Sequence, residues 1–251
     1  MTQLARIVIL TGAGISAESG IDTFRSAGGL WERHRIEDVA TPEGFARDPS
    51  LVLGFYDARR AALAKAAPNP AHLALARLER EFARMPGREV LLVTQNVDDL
   101  HERGGSAKVL HMHGELKSAL CLACETRSPW GEPMLLAGGA RPPCPVCAAP
   151  MLRPDIVWFG EMPYQMGRIY DALAQCDLFV SIGTSGAVYP AAGFVQEARM
   201  AGARTLELNL EPSEGSHFFH ESRHGPAGRL VPQWVDEVLA GQMQERASHE
   251  G

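Results

Sequence analysis

Ile7-Val8-Ile9-Leu10 runs directly into Thr11-Gly12-Ala13-Gly14-Ile15-Ser16-Ala17, and this passage decides the fold class. An apolar, β-rich run followed by Gly12-x-Gly14-x-x-Ala17 and a helix-like stretch is the pattern of a dinucleotide-binding strand–turn–helix. Residues without bulky side chains let the backbone approach a pyrophosphate, whose charge then sits on the N–H groups of a helix start. The alternative is a tight strand-to-helix turn with no ligand. In the usual scheme an acidic residue follows roughly 20 positions on, at the end of a second strand. Glu37 and Asp38 lie near that distance, but in a charged, helix-like stretch with no strand before them. A standard NAD dehydrogenase therefore fits poorly.

Four more apolar runs, at 89–93, 109–111, 178–182 and 204–208, join the one at 6–10, and helical patterns separate several of them. This alternation predicts parallel βαβ units. The runs end in Thr94-Gln95-Asn96-Val97-Asp98, Met112-His113-Gly114, Gly183-Thr184-Ser185 and Asn209-Leu210-Glu211. Ligands of open parallel sheets bind outside the carboxyl ends of the strands, so these endings are expected to line one crevice. Two segments break the alternation. Residues 34–83 read as helical, with start signals at Thr41-Pro42-Glu43 and Asp48-Pro49-Ser50, and residues 117–153 carry cysteines among several Pro and Gly. The expected fold is a single α/β domain with two lobes. A Rossmann-like parallel-sheet lobe takes residues 1–33, 84–116 and 154–240. A smaller lobe takes a helical insertion, 34–83, and a cysteine module, 117–153. The polar stretch 241–251 reads as a flexible tail.

The net charge of −6 and the absence of a Lys/Arg cluster argue against a nucleic-acid surface, which needs cations to neutralise phosphates. An acidic chain favours basic partners. No apolar stretch approaches the roughly 18–20 residues of a membrane span, and none near the first residues resembles a secretion signal, so a cytoplasmic location is expected. Cys121-x2-Cys124 and Cys144-x2-Cys147, with 19 residues between the pairs, carry four of the five cysteines. That spacing predicts a zinc site in a reducing compartment. Four thiolates leave no open coordination position, so one structural zinc per chain is expected. Cys176 sits in a helical pattern and reads as a packed thiol.

The longer passage from Gly12 to Arg25, with Ala13, Ser16, Ala17, Asp22 and Phe24 inside it, resembles the sirtuin signature. So do Gln95-Asn96-Val97-Asp98, His113-Gly114, the four-cysteine module, Gly183-Thr184-Ser185 and Asn209-Leu210-Glu211, in family order across roughly residues 7–232. The resemblance implies that NAD is a co-substrate: an acyl-lysine oxygen displaces nicotinamide, giving O-acyl-ADP-ribose and free lysine. It implies that Phe24 screens the reactive carbon, and that Arg25 and Ser16 act near the phosphates and ribose. Gln95, Asn96 and Asp98 would contact ribose and nicotinamide, with Asn96 counted as catalytic beside His113. Asp22, Trp31 and Ala227 complete the implied cofactor contacts. Other roles stay open on the residues alone: Phe24 as a core aromatic, Arg25 as a solvated charge, Asn96 or Asp98 as a helix cap.

His113 is the expected general base, since an imidazole titrating near neutrality suits removing a proton from a ribose hydroxyl. His111, two residues away, shares a face with it on a strand, but no third metal ligand is evident and a hydrogen-bonded core histidine is the expected role. The choice between them rests on the His-Gly resemblance. Val157-Trp158-Phe159-Gly160-Glu161 resembles the family segment that pairs with the substrate peptide as a strand, which places Val157, Phe159, Gly160 and Glu161 among substrate contacts. A plain core strand is the other possibility.

Residues 50–65 read as a helix with an apolar stripe at Leu51, Phe55, Ala58 and Ala62. A second stripe holds Val52, Tyr56, Arg59 and Leu63. An inward arginine needs an anion to offset its desolvation, and Tyr56, three residues away, points to the same spot. A phenol beside a guanidinium suits a carboxylate. The alternative is Arg59 reaching solvent with Tyr56 in the core. A Tyr-x-x-Arg pair here is similar to the sirtuin subgroup that removes succinyl and malonyl groups. The expectation is a deacylase acting on succinyl-, malonyl- and acetyl-lysines of proteins or peptides, with no membrane or direct nucleic-acid partner. A protein mono-ADP-ribosyltransferase and a non-catalytic, zinc-stabilised NAD-binding module are the competing readings.

Overall fold

The computed structural model describes residues 4–21 and 34–249, with side chains as far as Gly241. The strands are β1 Arg6–Thr11, β2 Glu89–Thr94, β3 Val109–His111, β4 Gly114–Cys121, β5 Arg127–Pro129, β6 Leu152–Ile156, β7 Leu178–Ile182, β8 Arg204–Asn209 and β9 Glu221–His224. The helices are α1 Ala13–Ser16, α2 Ile36–Val39, α3 Pro42–Arg47, α4 Pro49–Leu63, α5 Pro70–Ala83, α6 Leu100–Arg103, α7 Met166–Leu173, α8 Phe194–Met200 and α9 Ala227–His249. Six strands form one parallel sheet in the order β3-β2-β1-β7-β8-β9.

Central strands buried on both faces are apolar at nearly every position, and β1 shows why. Ile7 and Ile9 point into a core built with α5 and α9, while Val8 and Leu10 point into the opposite core with α7 and α8. The chain winds outward from β1 through β2 and β3, then returns to β7 on the other side of β1. The junction of β1 and β7 is therefore the switch point at which such sheets open a crevice.

A three-stranded antiparallel sheet, β5-β4-β6, lies outside the parallel one. Its Leu116, Ala119, Leu152 and Ile156 pack with α4 residues Val52, Leu53 and Tyr56 in a separate core. This sheet is absent from the sequence reading for a local reason. β6 contains Pro154, which cannot donate to a ladder, and the β4–β6 register shifts between Glu115 and Ala119, where Pro154 pairs.

Three further features add to the expectations from sequence. The helical stretch 34–83 is not one lobe, because Ala71, Leu75, Leu78 and Phe82 of α5 pack on the parallel sheet beside Ile7 and Val90. The stretch 241–249 is helical backbone, the end of α9. The first stripe assigned to α4 fails at Ala58 and Ala62, which are exposed. Arg60 is buried instead, paired with Asp57 at 2.9 Å, because Asp57 also accepts the Met134 and Leu135 N–H groups from a loop lying against the helix. The start signals hold as read: Thr41 accepts from Gly44 N and Asp48 from Leu51 N. Asn69 caps α5 in the same way, through Ala71 N.

Candidate active site

The crevice floor consists of two glycine-containing turns pressed together. Gly12 N donates to the Ile182 carbonyl at 3.0 Å and Gly14 N to the Gly183 carbonyl at 2.8 Å. A Cβ on Gly12 would stand 2.8 Å from the Gly183 oxygen, and one on Gly14 2.7 Å from the Gly183 Cα. The glycines are thus required by the approach of the β1 and β7 turns, and two of their N–H groups serve that approach rather than a ligand. Ala13 and Ala17 begin α1 and the following 3-10 turn. Gln95, Ser181, Thr184, Gly186, Ser213 and Gly215 line a pocket at the same ends of the strands. Apolar side chains, among them Leu10, Phe179, Val188 and Val195, line the same pocket beside these hydroxyl and amide groups.

Three sequence-named residues join in one buried network. Asn96 Nδ2 donates to Ser16 Oγ at 3.0 Å, and Ser16 Oγ donates to Asp98 Oδ2 at 3.1 Å. Asp98 also accepts from Leu100 N at 3.1 Å, so it shapes the entry to α6 as well as facing Ser16. Burial raises the Asp98 pKa above its ordinary value, against the lowering effect of the Leu100 and Ser16 bonds. Beneath this network, Thr94 Oγ1 accepts from Asn96 N at 3.0 Å and from Thr11 Oγ1 at 2.8 Å. His101 Nε2 lies 3.0 Å from Thr11 Oγ1. Thr11, Thr94 and His101 support the Asn96 loop without having stood out in the sequence, since each reads as an ordinary strand or helix residue.

The two histidines differ in what faces their nitrogens. His113 Nδ1 lies 3.1 Å from the Gln95 carbonyl, which only accepts, so this nitrogen carries the proton and Nε2 keeps its lone pair. Burial lowers the His113 pKa, more than the Gln95 bond raises it. The result is a neutral imidazole ready to accept a proton. His111 has acceptors on both sides, the Asn96 carbonyl at 3.1 Å and Glu102 Oε1 at 2.8 Å. Burial alone would lower its pKa, but the Glu102 bond and charge overcome this and raise it. His111 is therefore a charged brace for the Asn96 backbone, and it has no free lone pair for a metal.

Gly114 explains the His-Gly pairing. Its φ is +80°, and a Cβ there would lie 2.0 Å from the Asp155 carbonyl oxygen at the β4–β6 junction. Gly114→Ala is expected to cost about 3 kcal/mol or more, through clash and left-handed strain. Thermal unfolding should show Tm lower by about 6–12 °C, and an unchanged Tm would mean that the junction relaxes freely.

On the β7–β8 side, Asn209 Nδ2 donates to the Thr184 carbonyl at 2.7 Å, and Ser181 and Thr184 hydroxyls lie 2.9 Å apart. Ser185 accepts the Glu214 N–H. Leu210 and Glu211 are exposed beyond the strand, and Ala227 opens α9, where the next residue, Gly228, donates to Glu18. Asp22, Phe24, Arg25 and Trp31 lie outside the described residues.

The substrate-side residues gather around Trp158. Val157 N donates to the His113 carbonyl, Phe159 N to the Ala40 carbonyl and Trp158 N to Glu161. Residues 157–161 are not a strand, and the Trp158 carbonyl accepts from Glu161 N. Glu161 grips buried Arg153 at 2.9 and 2.8 Å. On α4, Arg59 is half-buried with its guanidinium carbon 5.8 Å from the Phe55 and Tyr56 ring centres. Burial lowers the Arg59 pKa, while Tyr56 and Asp98 oppose that shift.

The four cysteines meet as expected. Their sulfurs lie within 4.8 Å of one another, with Cys121–Cys147 at 3.6 Å and Cys124–Cys144 at 3.8 Å. A tetrahedron of Zn–S bonds near 2.3 Å sets sulfurs about 3.8 Å apart, so the group fits the ion. Two matching turns present the thiolates: Glu125 N bonds the Cys121 carbonyl and Ala148 N the Cys144 carbonyl, each at 2.9 Å. Among the described residues no other metal-binding cluster occurs. Cys176 is buried and donates to the Leu173 carbonyl, as a packed thiol does.

The Sir2 family model matches residues 12–190. An NAD-dependent protein deacylase of Vibrio cholerae is 57% identical over 245 residues, covering 96% of each chain. Another, of Escherichia coli, is 55% identical over 241 residues, covering 94% of this chain and 83% of its own. A solved Sir2 homolog–NAD complex has a TM-score of 0.85 at 38% identity, covering 96% of this chain and 91% of that one. With its parallel sheet, its glycine-floored crevice and its four-cysteine module, the chain belongs to the Sir2, or sirtuin, family.

Proposed function

We propose that this chain is an NAD-dependent protein-lysine deacylase whose acyl pocket favours groups ending in a carboxylate. The relatives' names support NAD-dependent deacylation of protein substrates, and His113 has the geometry of the base. When bound, NAD supplies the electrophilic ribose carbon and nicotinamide as the leaving group. Neutral His113 Nε2 would accept a ribose hydroxyl proton, and the Asn96–Ser16–Asp98 network would hold the Asn96 amide and Asp98 carboxyl group ready for the sugar. No helix among the described residues is long and apolar enough to cross a membrane.

The observation that carries the acidic-acyl reading is Arg59, a guanidinium held half-buried over the Phe55 and Tyr56 rings. A guanidinium only donates and its planar fork matches a carboxylate. Arg59→Met is expected to lower kcat/KM for a succinyl-lysine peptide by about 10–100-fold, the equivalent of one or two charge-assisted hydrogen bonds. The matched acetyl peptide has no distal carboxylate and should lose much less. Equal losses on the two peptides would place Arg59 in the fold or the NAD site, and an unchanged succinyl rate would place it away from the acyl group.

A further inference from the structure

We propose that Trp158 is a positioning residue that fixes the phenol of Tyr56 as a hydrogen-bond donor, so that the acyl pocket accepts only acceptor groups. This rests on the acidic-acyl reading and names the residue that sets its polarity. Trp158 Nε1 lies 3.0 Å from Tyr56 Oη, with both residues buried, at 2% and 1% exposure. An indole N–H can only donate, so the phenol oxygen must accept this bond. Its single proton then points away from Trp158, and among the described residues no acceptor takes it. A buried O–H left unspent is costly, and a bound acceptor would satisfy it.

The indole cannot turn aside. The Arg153 guanidinium carbon sits 3.9 Å from its ring centre, and Phe45 packs 5.1 Å away. Arg153 is itself clamped by Glu161 and by the Ile156 carbonyl at 3.1 Å, and Glu161 also takes the Trp158 backbone N–H. Arg59, three residues from Tyr56 on α4, brings a second group that only donates. Two donors with no acceptor match a carboxylate. A terminal carboxamide of the same shape has one acceptor oxygen and no charge where a carboxylate has two charged acceptors, so it satisfies the two donors less well.

The test compares three lysine peptides with the full chain and NAD: succinyl, its terminal-carboxamide isostere, and acetyl. The unsubstituted protein should prefer succinyl over the isostere by at least about 10-fold in kcat/KM. Trp158→Phe keeps the stacking on Arg153 but removes the N–H, leaving the phenol able to turn and accept. The succinyl-to-carboxamide ratio should then fall by about 3–10-fold, the worth of one oriented hydrogen bond. In a Tyr56→Phe background the same substitution should leave that ratio where Tyr56→Phe put it. Benzothienylalanine at position 158, isosteric and without the N–H, repeats the measurement should the phenylalanine variant fold poorly. A ratio unmoved by loss of the N–H, or moved equally with and without the phenol, overturns the proposal. Acetyl turnover without any succinyl turnover in the unsubstituted protein overturns the acidic-acyl reading, and this inference with it.

Discussion

His113→Ala is expected to lower kcat by roughly 10²–10⁴-fold, the usual cost of removing a general base. The variant should keep its fold, because among the described residues the His113 imidazole makes one hydrogen bond, to the Gln95 carbonyl, and the backbone bond from Val157 N does not depend on the side chain. The pH profile gives a sharper check. His113 works as the neutral imidazole, and burial lowers its pKa. Activity should therefore persist below the ordinary histidine pKa of about 6.5 and fall only at more acid pH. An acid limb at or above that value would assign the proton acceptor elsewhere. His111→Ala should behave differently, lowering Tm first, because it removes the charged brace between Glu102 and the Asn96 carbonyl. Equal and small effects of both substitutions on turnover would refute the assignment.

Removing zinc should have the next largest effect, on structure rather than chemistry. Cys121 and Cys144 are buried in the same core as Tyr56, Leu152 and Trp158. Without the ion, four sulfurs within 4.8 Å of one another have nothing to organise their charge and packing. Structural zinc contributes roughly 10–16 kcal/mol in small zinc-stabilised folds, comparable to the whole stability of a typical domain, about 5–15 kcal/mol. Elemental analysis should find about one zinc per chain. Chelation, or Cys144→Ser, should unfold the β4–β5–β6 sheet and abolish deacylation. A metal-free preparation with full activity would show that the module stands without the ion.

The sequence by itself determined the parallel sheet, because strands buried on both faces must be apolar almost throughout, and 6–10, 89–93, 109–111, 178–182 and 204–208 have that character. It determined the four-thiolate site through spacing, and the starts of α3 and α4 through Thr41 and Asp48 ahead of proline. β6 and β9 escaped for physical reasons: one holds a proline at a register shift, and the other, Glu221–His224, is a polar edge strand. Only the tertiary structure decided that α5 belongs to the parallel sheet, since its apolar face suits either lobe. The choice of His113 over His111 rested on the His-Gly resemblance, and the tertiary structure adds the different partners of the two rings, which sit two residues apart. The difference lies in Glu102 and two loop carbonyls, none of them visible in local pattern. The polarity of Tyr56 is likewise set by Trp158, 102 residues along the chain. A hydrogen bond's direction depends on the partner that folding supplies, whereas burial periodicity and ligand spacing are written into neighbouring residues.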